Sequence, residues 1–140
     1  MIAFDCGRQE KPSYEQKVFI LSLPNGREKT FTYHIASFVD DKCYVYALTE
    51  DKKDGDAVIR MGFTFDEASI VGREISVNDF YLAPYSQNAQ PDYAVKLASG
   101  QIVLKEKTVD YYILRFVDVR VTTSLGEYRL DGDLPFTVVK

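Results

Sequence analysis

With 140 residues, 46% of them hydrophobic and 27% charged, the chain has the size and composition of one globular domain with its own core, which excludes an intrinsically disordered chain. The net charge is −4 with acids and bases interspersed; a phosphate backbone needs a basic stripe, so no nucleic-acid partner is expected. No apolar run approaches the roughly 20 residues of a transmembrane helix.

The aromatic residues are skewed, with 10 Tyr and 9 Phe against no Trp. Tyrosine suits half-buried pleated surfaces, where its ring packs and its hydroxyl reaches water. At the N-terminus, "MIAFDCGRQEKPS" sets a few apolar residues before Cys6 and then a polar run. The apolar part is shorter than the hydrophobic region of a signal peptide, and Asp5 is unsuited to a position just before a lipidated cysteine. Residues 1–16 therefore read as a poorly structured tether, and 17–140 as a single β domain.

Alternation with period two begins at "KVFILSL" (17–23), apolar enough for a strand covered on both faces. "PNG" (24–26) then predicts a hairpin, because Asn and Gly both accept positive φ. The return strand, 27–39, places Phe31, Tyr33 and Ile35 on one face and Thr30, Thr32 and His34 on the other. "DDK" (40–42) turns the chain. "CYVYALTE" (43–50) alternates Tyr44, Tyr46 and Leu48 against Cys43, Val45 and Ala47. "DKKDGD" (51–56) reads as a solvated hairpin tip, and "AVIRMGFTF" (57–65) as a strand with Ala57, Ile59, Met61, Phe63 and Phe65 inward. A helical turn is expected from Asp66 to Gly72, then a short strand around Ile75–Val77.

The stretch "FYLAPYSQNAQPDY" (80–93) is neither regular helix nor strand, although Phe80 and Leu82 alternate like a strand end that plugs the core. "YAVKLA" (93–98), a Ser99-Gly100 turn and "QIVLKEKTV" (101–109) read as another hairpin. In "YYILRFVDVRVTT" (111–123) the apolar set shifts from Tyr112, Leu114 and Phe116 to Val117, Val119 and Val121. One inserted residue reverses alternation in this way, so a β-bulge is expected. After Leu125-Gly126 the last strand returns with Tyr128, Leu130, Leu134, Phe136 and Val138 inward. Gly132 on that face marks a bend or a close backbone approach, and Pro135, facing outward without an N–H, marks a sheet edge.

Eight or nine short strands without a long helix give an all-β domain. An antiparallel β-sandwich is expected, since the inward set of Phe, Leu, Ile and Val suits a filled core. The alternative is a small closed lipocalin-like β-barrel.

Chemistry-bearing residues are few. His34 is the lone histidine, on a polar strand face without a neighbouring nucleophile, and reads as a surface or cross-strand partner. Three Cys and His residues scattered along the chain are too few for a zinc site. Asp51, Asp54 and Asp56 flank Gly55, but Lys52 and Lys53 break the acidic order of a calcium loop. Asp118, Asp131 and Asp133 lie on long strands, the only sense in which they are candidates for a paired-carboxylate site. Cys43 opens a strand as a small apolar filler. Spacing does not decide whether Cys6 and Cys43 are bridged, lipidated or free. No catalytic residue, metal site or cofactor is expected, and the reading is non-enzymatic.

Binding remains. Tyr81, Tyr85 and Tyr93 offer rings and Gln87, Asn88 and Gln90 directional polar contacts, so these six residues form the candidate ligand-binding set for a small molecule, glycan or protein. The competing account makes the same stretch a crossover between sheets. The C-terminal third, "SGQIVLKEKTV" with "EYRLDGDLPFTVV", resembles the end of small exported β-domains among Bacteroides-type surface lipoproteins, where a G-x-(I/V)-x-(I/L) strand precedes a closing G-x-(L/F)-x-F strand. The resemblance implies export, a lipidated cysteine and a binding or scaffold role at the cell envelope; without it the compartment defaults to the cytoplasm. The expected function is a binding or adhesion-type module. The alternative is a lipocalin-like carrier whose lumen is lined by Tyr33, Tyr44, Tyr46 and Tyr112.

Overall fold

The computed structural model describes residues 16–50, 58–84 and 96–139. Nine strands run in chain order: β1 (Ile20–Ser22), β2 (Glu28–Lys29), β3 (Phe31–Val39), β4 (Lys42–Thr49), β5 (Ile59–Asp66), β6 (Asn78–Pro84), β7 (Lys96–Lys107), β8 (Tyr111–Thr123) and β9 (Gly126–Val138). Among the described residues there is no helix. The expected tether (1–16) and the hairpin tip (51–56) lie outside the described residues, apart from Gln16.

The strands form one open sheet in the order β2-β1-β9-β3-β4-β5-β6, with β8 and then β7 on the other side of β9. Folded over, it is a β-sandwich and not a closed barrel. Every pairing is antiparallel except β3 with β9, which meet in parallel at Ile35–Thr137 and Ala36–Val138. One layer is β3 to β6 and the other is β2-β1-β9-β8-β7. Between them Phe63 meets Phe116 edge-on with ring centroids 6.4 Å apart, and Phe38 and Phe65 pack on Tyr112 at 5.5 and 6.3 Å. Phe65, Phe116, Phe136, Met61, Leu82 and Leu114 are fully buried. Each such side chain contributes about 1.5–3 kcal/mol relative to an exposed one.

Local chemistry sets the turns. Gly26 N donates to Leu23 O at 2.9 Å, and the Asn25 carboxamide oxygen accepts from Arg27 N. Only Gly26 takes positive φ (88°), so Asn25 needs none and the glycine alone makes the hairpin. At Asp66 the carboxylate accepts from Ala68 N (2.8 Å) as an N-cap would, but no helix follows. Instead residues 72–75 run along the outer edge of β7, with Gly72 N and Ile75 N donating to Leu104 O and Ile102 O at 2.7 and 2.9 Å. That contact covers part of an edge that would otherwise be open to pairing.

Several expectations are corrected. The first strand is covered on one face only: Phe19, Leu21 and Leu23 are buried while Val18 is 84% exposed. In β3, register shifts between Phe31 and Tyr33, so one extra residue turns Tyr33 and Ile35 outward and His34, Ala36 and Phe38 inward. Ser99-Gly100 is not a hairpin turn. It is a bulge within continuous β7, where a Cβ on Gly100 would stand 2.4 Å from Asp118 O. The bulge expected in β8 is present between Phe116 and Val119, with Asp118 at φ 47°, although Val117 itself faces solvent.

Gly132 has φ 112°, and the backbone at Val18 and Phe19, just before β1, passes so closely that a Cβ would lie 2.1 Å from Val18 O. The close approach read from sequence is therefore real. Pro135 is outward as expected, but β9 is not an edge strand, because β8 flanks it on one side and β1 and β3 on the other. The proline sits where β9 passes from β1 to β3, an interval that asks no N–H of it.

Candidate functional site

Of the six residues expected to bind ligand, Tyr81 alone is described; Tyr85, Gln87, Asn88, Gln90 and Tyr93 lie outside the described residues. Tyr81 stands opposite Gly62 across β5 and β6. Its ring covers that glycine so closely that a Cβ there would sit 2.5 Å from Tyr81 Cε1, and the Arg60 guanidinium lies 6.0 Å from the ring centroid. An aromatic ring laid over a cross-strand glycine replaces the packing that the missing side chain cannot supply. Tyr81 thus has a structural duty, while Phe80 and Leu82 point into the core as expected.

The same outward face carries the aromatic surface that sequence reading assigned elsewhere. Cross-strand register sets Ile35, Tyr46, Gly62 and Tyr81 in one row, Tyr33, Leu48, Arg60 and Ala83 in the next, and Ser37, Tyr44 and Thr64 in a third. Tyr33 is 49% exposed and Tyr44 is 44% exposed; Tyr46 is half-buried between them. The Tyr33 and Tyr46 rings meet edge-on at 6.4 Å, a favourable aromatic geometry. These tyrosines were the expected lining of a carrier lumen. They face away from the interior, and of that set Tyr112 alone is inside. For Tyr33 the signal that would have found the face is the bulge at Thr32, which leaves no mark in composition.

The opposite layer presents charge. Arg120 and Arg129 stand directly across from each other on β8 and β9, a repulsive pairing if left alone. The β8 bulge brings the Asp118 carboxylate between them, 2.8 Å from Arg129 Nε and 3.5 Å from Arg120 Nε, and Glu127 approaches Arg120 at 3.6 Å. Asp131 accepts from Asp118 N at 2.8 Å. Asp133 lies deeper. Arg115 grips it bidentately at 2.7 and 2.9 Å, and Lys17 N donates to it at 2.9 Å. Burial alone would raise the Asp133 carboxyl, but those donors outweigh it and hold the group below the ordinary carboxylate range. All three expected acid candidates are thus engaged in holding the sheet. Among the described residues no group of three Cys, His, Asp or Glu side chains could hold a metal.

Cys43 is fully buried with a free thiol, as a core filler should be, and burial pushes it up to about 12. His34, expected as a surface or cross-strand partner on a polar face, is half-buried and meets Phe136 of the neighbouring strand β9 edge-on, so the cross-strand part of that reading holds while the face is not polar. The described surface has open clefts of about 480 Å³ beside Asp41, Asp66, Glu67 and Lys107, about 360 Å³ between residues 74–77 and β7, and about 220 Å³ beside Leu23, Pro84 and Leu125. In the first of these the Lys107 ammonium already donates to Glu67 O at 3.0 Å.

No family model, curated protein or solved structure matches the chain. What the geometry defines is a β-sandwich with one ion-paired face and one tyrosine face.

Proposed function

We propose that the chain is a non-enzymatic binding module of the adhesion type, and that its contact surface is the outer face of β3 to β6. The observation that carries the reading is the exposure of Tyr33 and Tyr44, at 49% and 44%, beside Tyr46 on the outward face of the sheet. Tyrosine supplies a large contact area at a small entropic cost, because only two torsions must be frozen, and its hydroxyl adds direction. Rows of side chains spread over four strands fit an extended partner better than a small molecule, which prefers a concave site that buries most of its surface. A glycan chain suits rings that offer both an apolar face and a hydroxyl. The C-terminal resemblance would set such a module at a cell envelope.

A glycan array tests the proposal with wild type, a Tyr33→Ser/Tyr44→Ser double variant, and Arg120→Ser on the opposite face as control. The expected result is binding by wild type and by the control, and loss of signal in the double variant. Equal signals from all three, or none from wild type, would remove the tyrosine face as a glycan site.

A further inference from the structure

His34 is the only histidine of the chain, and it stands where β9 passes from pairing with β1 to pairing with β3. β9 pairs with β1 up to Ile20–Asp131, and Asp133 N reaches Lys17 O at 2.9 Å. Pairing resumes with β3 at Thr137, through two residue pairs and a bond from Val139 N to Ala36 O at 2.8 Å. Between these contacts, around Pro135, no strand among the described residues flanks that side of β9. The imidazole lies at this interval. Its ring meets Phe136 edge-on at 6.3 Å, and Ala47 of β4 stands opposite it. Nδ1 is sealed from solvent and has no hydrogen-bond partner among the described residues.

We infer that His34 is a pH-sensitive catch on the junction between the two layers: neutral, it packs against β9 between the β1 and β3 contacts, and protonated, it releases the β3–β9 pairing before the rest of the sheet. Among the described residues the groups facing it, Ala47, Pro135 and Phe136, are not titratable, so only backbone carbonyls oppose the cost of a charge there. On the same strands Tyr33 and Tyr46 lie on the outward face, and Asp133 is committed to Arg115. Burial lowers the imidazole from its ordinary 6.5, and the backbone of His34 and Pro135 offsets this only in part. With the folded value depressed, the open form binds the proton more tightly. The closed junction is therefore fully stable above about pH 6.5 and loses stability as pH falls through the lowered value. No other side-chain type ordinarily titrates between about pH 5 and 8.

Amide hydrogen exchange followed by NMR from about pH 7.5 to about pH 5, corrected for intrinsic rates, tests this. The Val139 amide reports the junction, and amides of the central β8–β9 ladder serve as reference. Each unit by which the ring's value lies below 6.5 corresponds to about a tenfold gain in opening on full protonation. The expected result is loss of protection at Val139 on acidification, steady protection in the reference ladder, and no such pH dependence in His34→Gln. Equal loss in both regions, or the same pH dependence in the variant, overturns the inference. If His34→Gln does not fold, titration of the single wild-type imidazole signal decides: a value below 6.5 together with selective loss at Val139 upholds it, and a value at or above 6.5 overturns it.

Discussion

Replacing Gly132 by alanine asks the structure for two separate concessions. The first is conformational, since φ 112° is disfavoured for any residue with a side chain. Such strain costs on the order of 1–3 kcal/mol. The second is steric. The new methyl carbon would stand 2.1 Å from Val18 O and 2.6 Å from Phe19 Cα, and both are backbone atoms that cannot rotate away. Relief requires β1 to lift, which pulls Phe19 and Leu21 from the core, or β9 to bend; overpacking of this kind costs about 1–3 kcal/mol more. Gly26→Ala isolates the first concession, because Gly26 has φ 88° and a Cβ there would meet nothing within 4 Å. The expected losses are about 1 kcal/mol for Gly26→Ala and about 3–5 kcal/mol for Gly132→Ala. Urea unfolding monitored by far-ultraviolet circular dichroism, with m-values compared, measures both. If the two variants differ by less than about 0.5 kcal/mol, within the usual scatter of such measurements, β1 does not cross β9 as described.

The other predictions rest on buried charge and buried sulfur. Arg115→Met leaves Asp133 without its main partner; the side chains are 16% and 3% exposed, so the cost should be about 2–4 kcal/mol in urea unfolding, toward the lower end for a fully buried pair. The acid limb of stability should move as well. In wild type the contribution of Asp133 is complete above about pH 4 and is lost as pH falls through its lowered value, whereas in Arg115→Met burial is left without its main counterweight, so that acid-dependent loss should shrink or reverse. The same fall in unfolding free energy from about pH 5 downward in variant and wild type would show that Arg115 does not hold the carboxylate. Cys43, with its thiol raised to about 12, should resist iodoacetamide at pH 8 in the native state and react once urea unfolds the chain. Mass-spectrometric detection of labelled Cys43 at the native rate of a free thiol would contradict its burial.

Much of the architecture could be read from neighbouring residues alone. Alternation located the inward faces of β5, β8 and β9, because a pleated strand places every second side chain on one face whatever it pairs with. The β8 bulge was legible because apolar residues stand on both sides of the shift: Tyr112, Leu114 and Phe116 before it, Val119 and Val121 after it. The β3 bulge was not. Phe31 stands alone before the shift, and Tyr33 and Ile35 continue an apolar pattern that looks unbroken. Tyrosine gives no warning, since it is equally at ease inward or outward. That hidden change of parity moved Tyr33 to the outside, beside the outward Tyr44 and Tyr46 of β4, and turned His34 toward Phe136.

The amino-acid order by itself determined that the chain would pleat, where it would turn at Asn25-Gly26 and Asp40-Asp41, and that Gly132 would mark a bend or a close backbone approach. Those are consequences of local torsions and of a two-residue period, which need no distant partner. Only the tertiary structure decided which backbone crosses Gly132, that Ser99-Gly100 bulges against Asp118 within one continuous strand, and that Pro135 lies in the interior of a sheet. A glycine at positive φ serves a turn or a bulge equally well, and a missing N–H is harmless at an edge or in a gap. The choice between them belongs to residues far away in sequence.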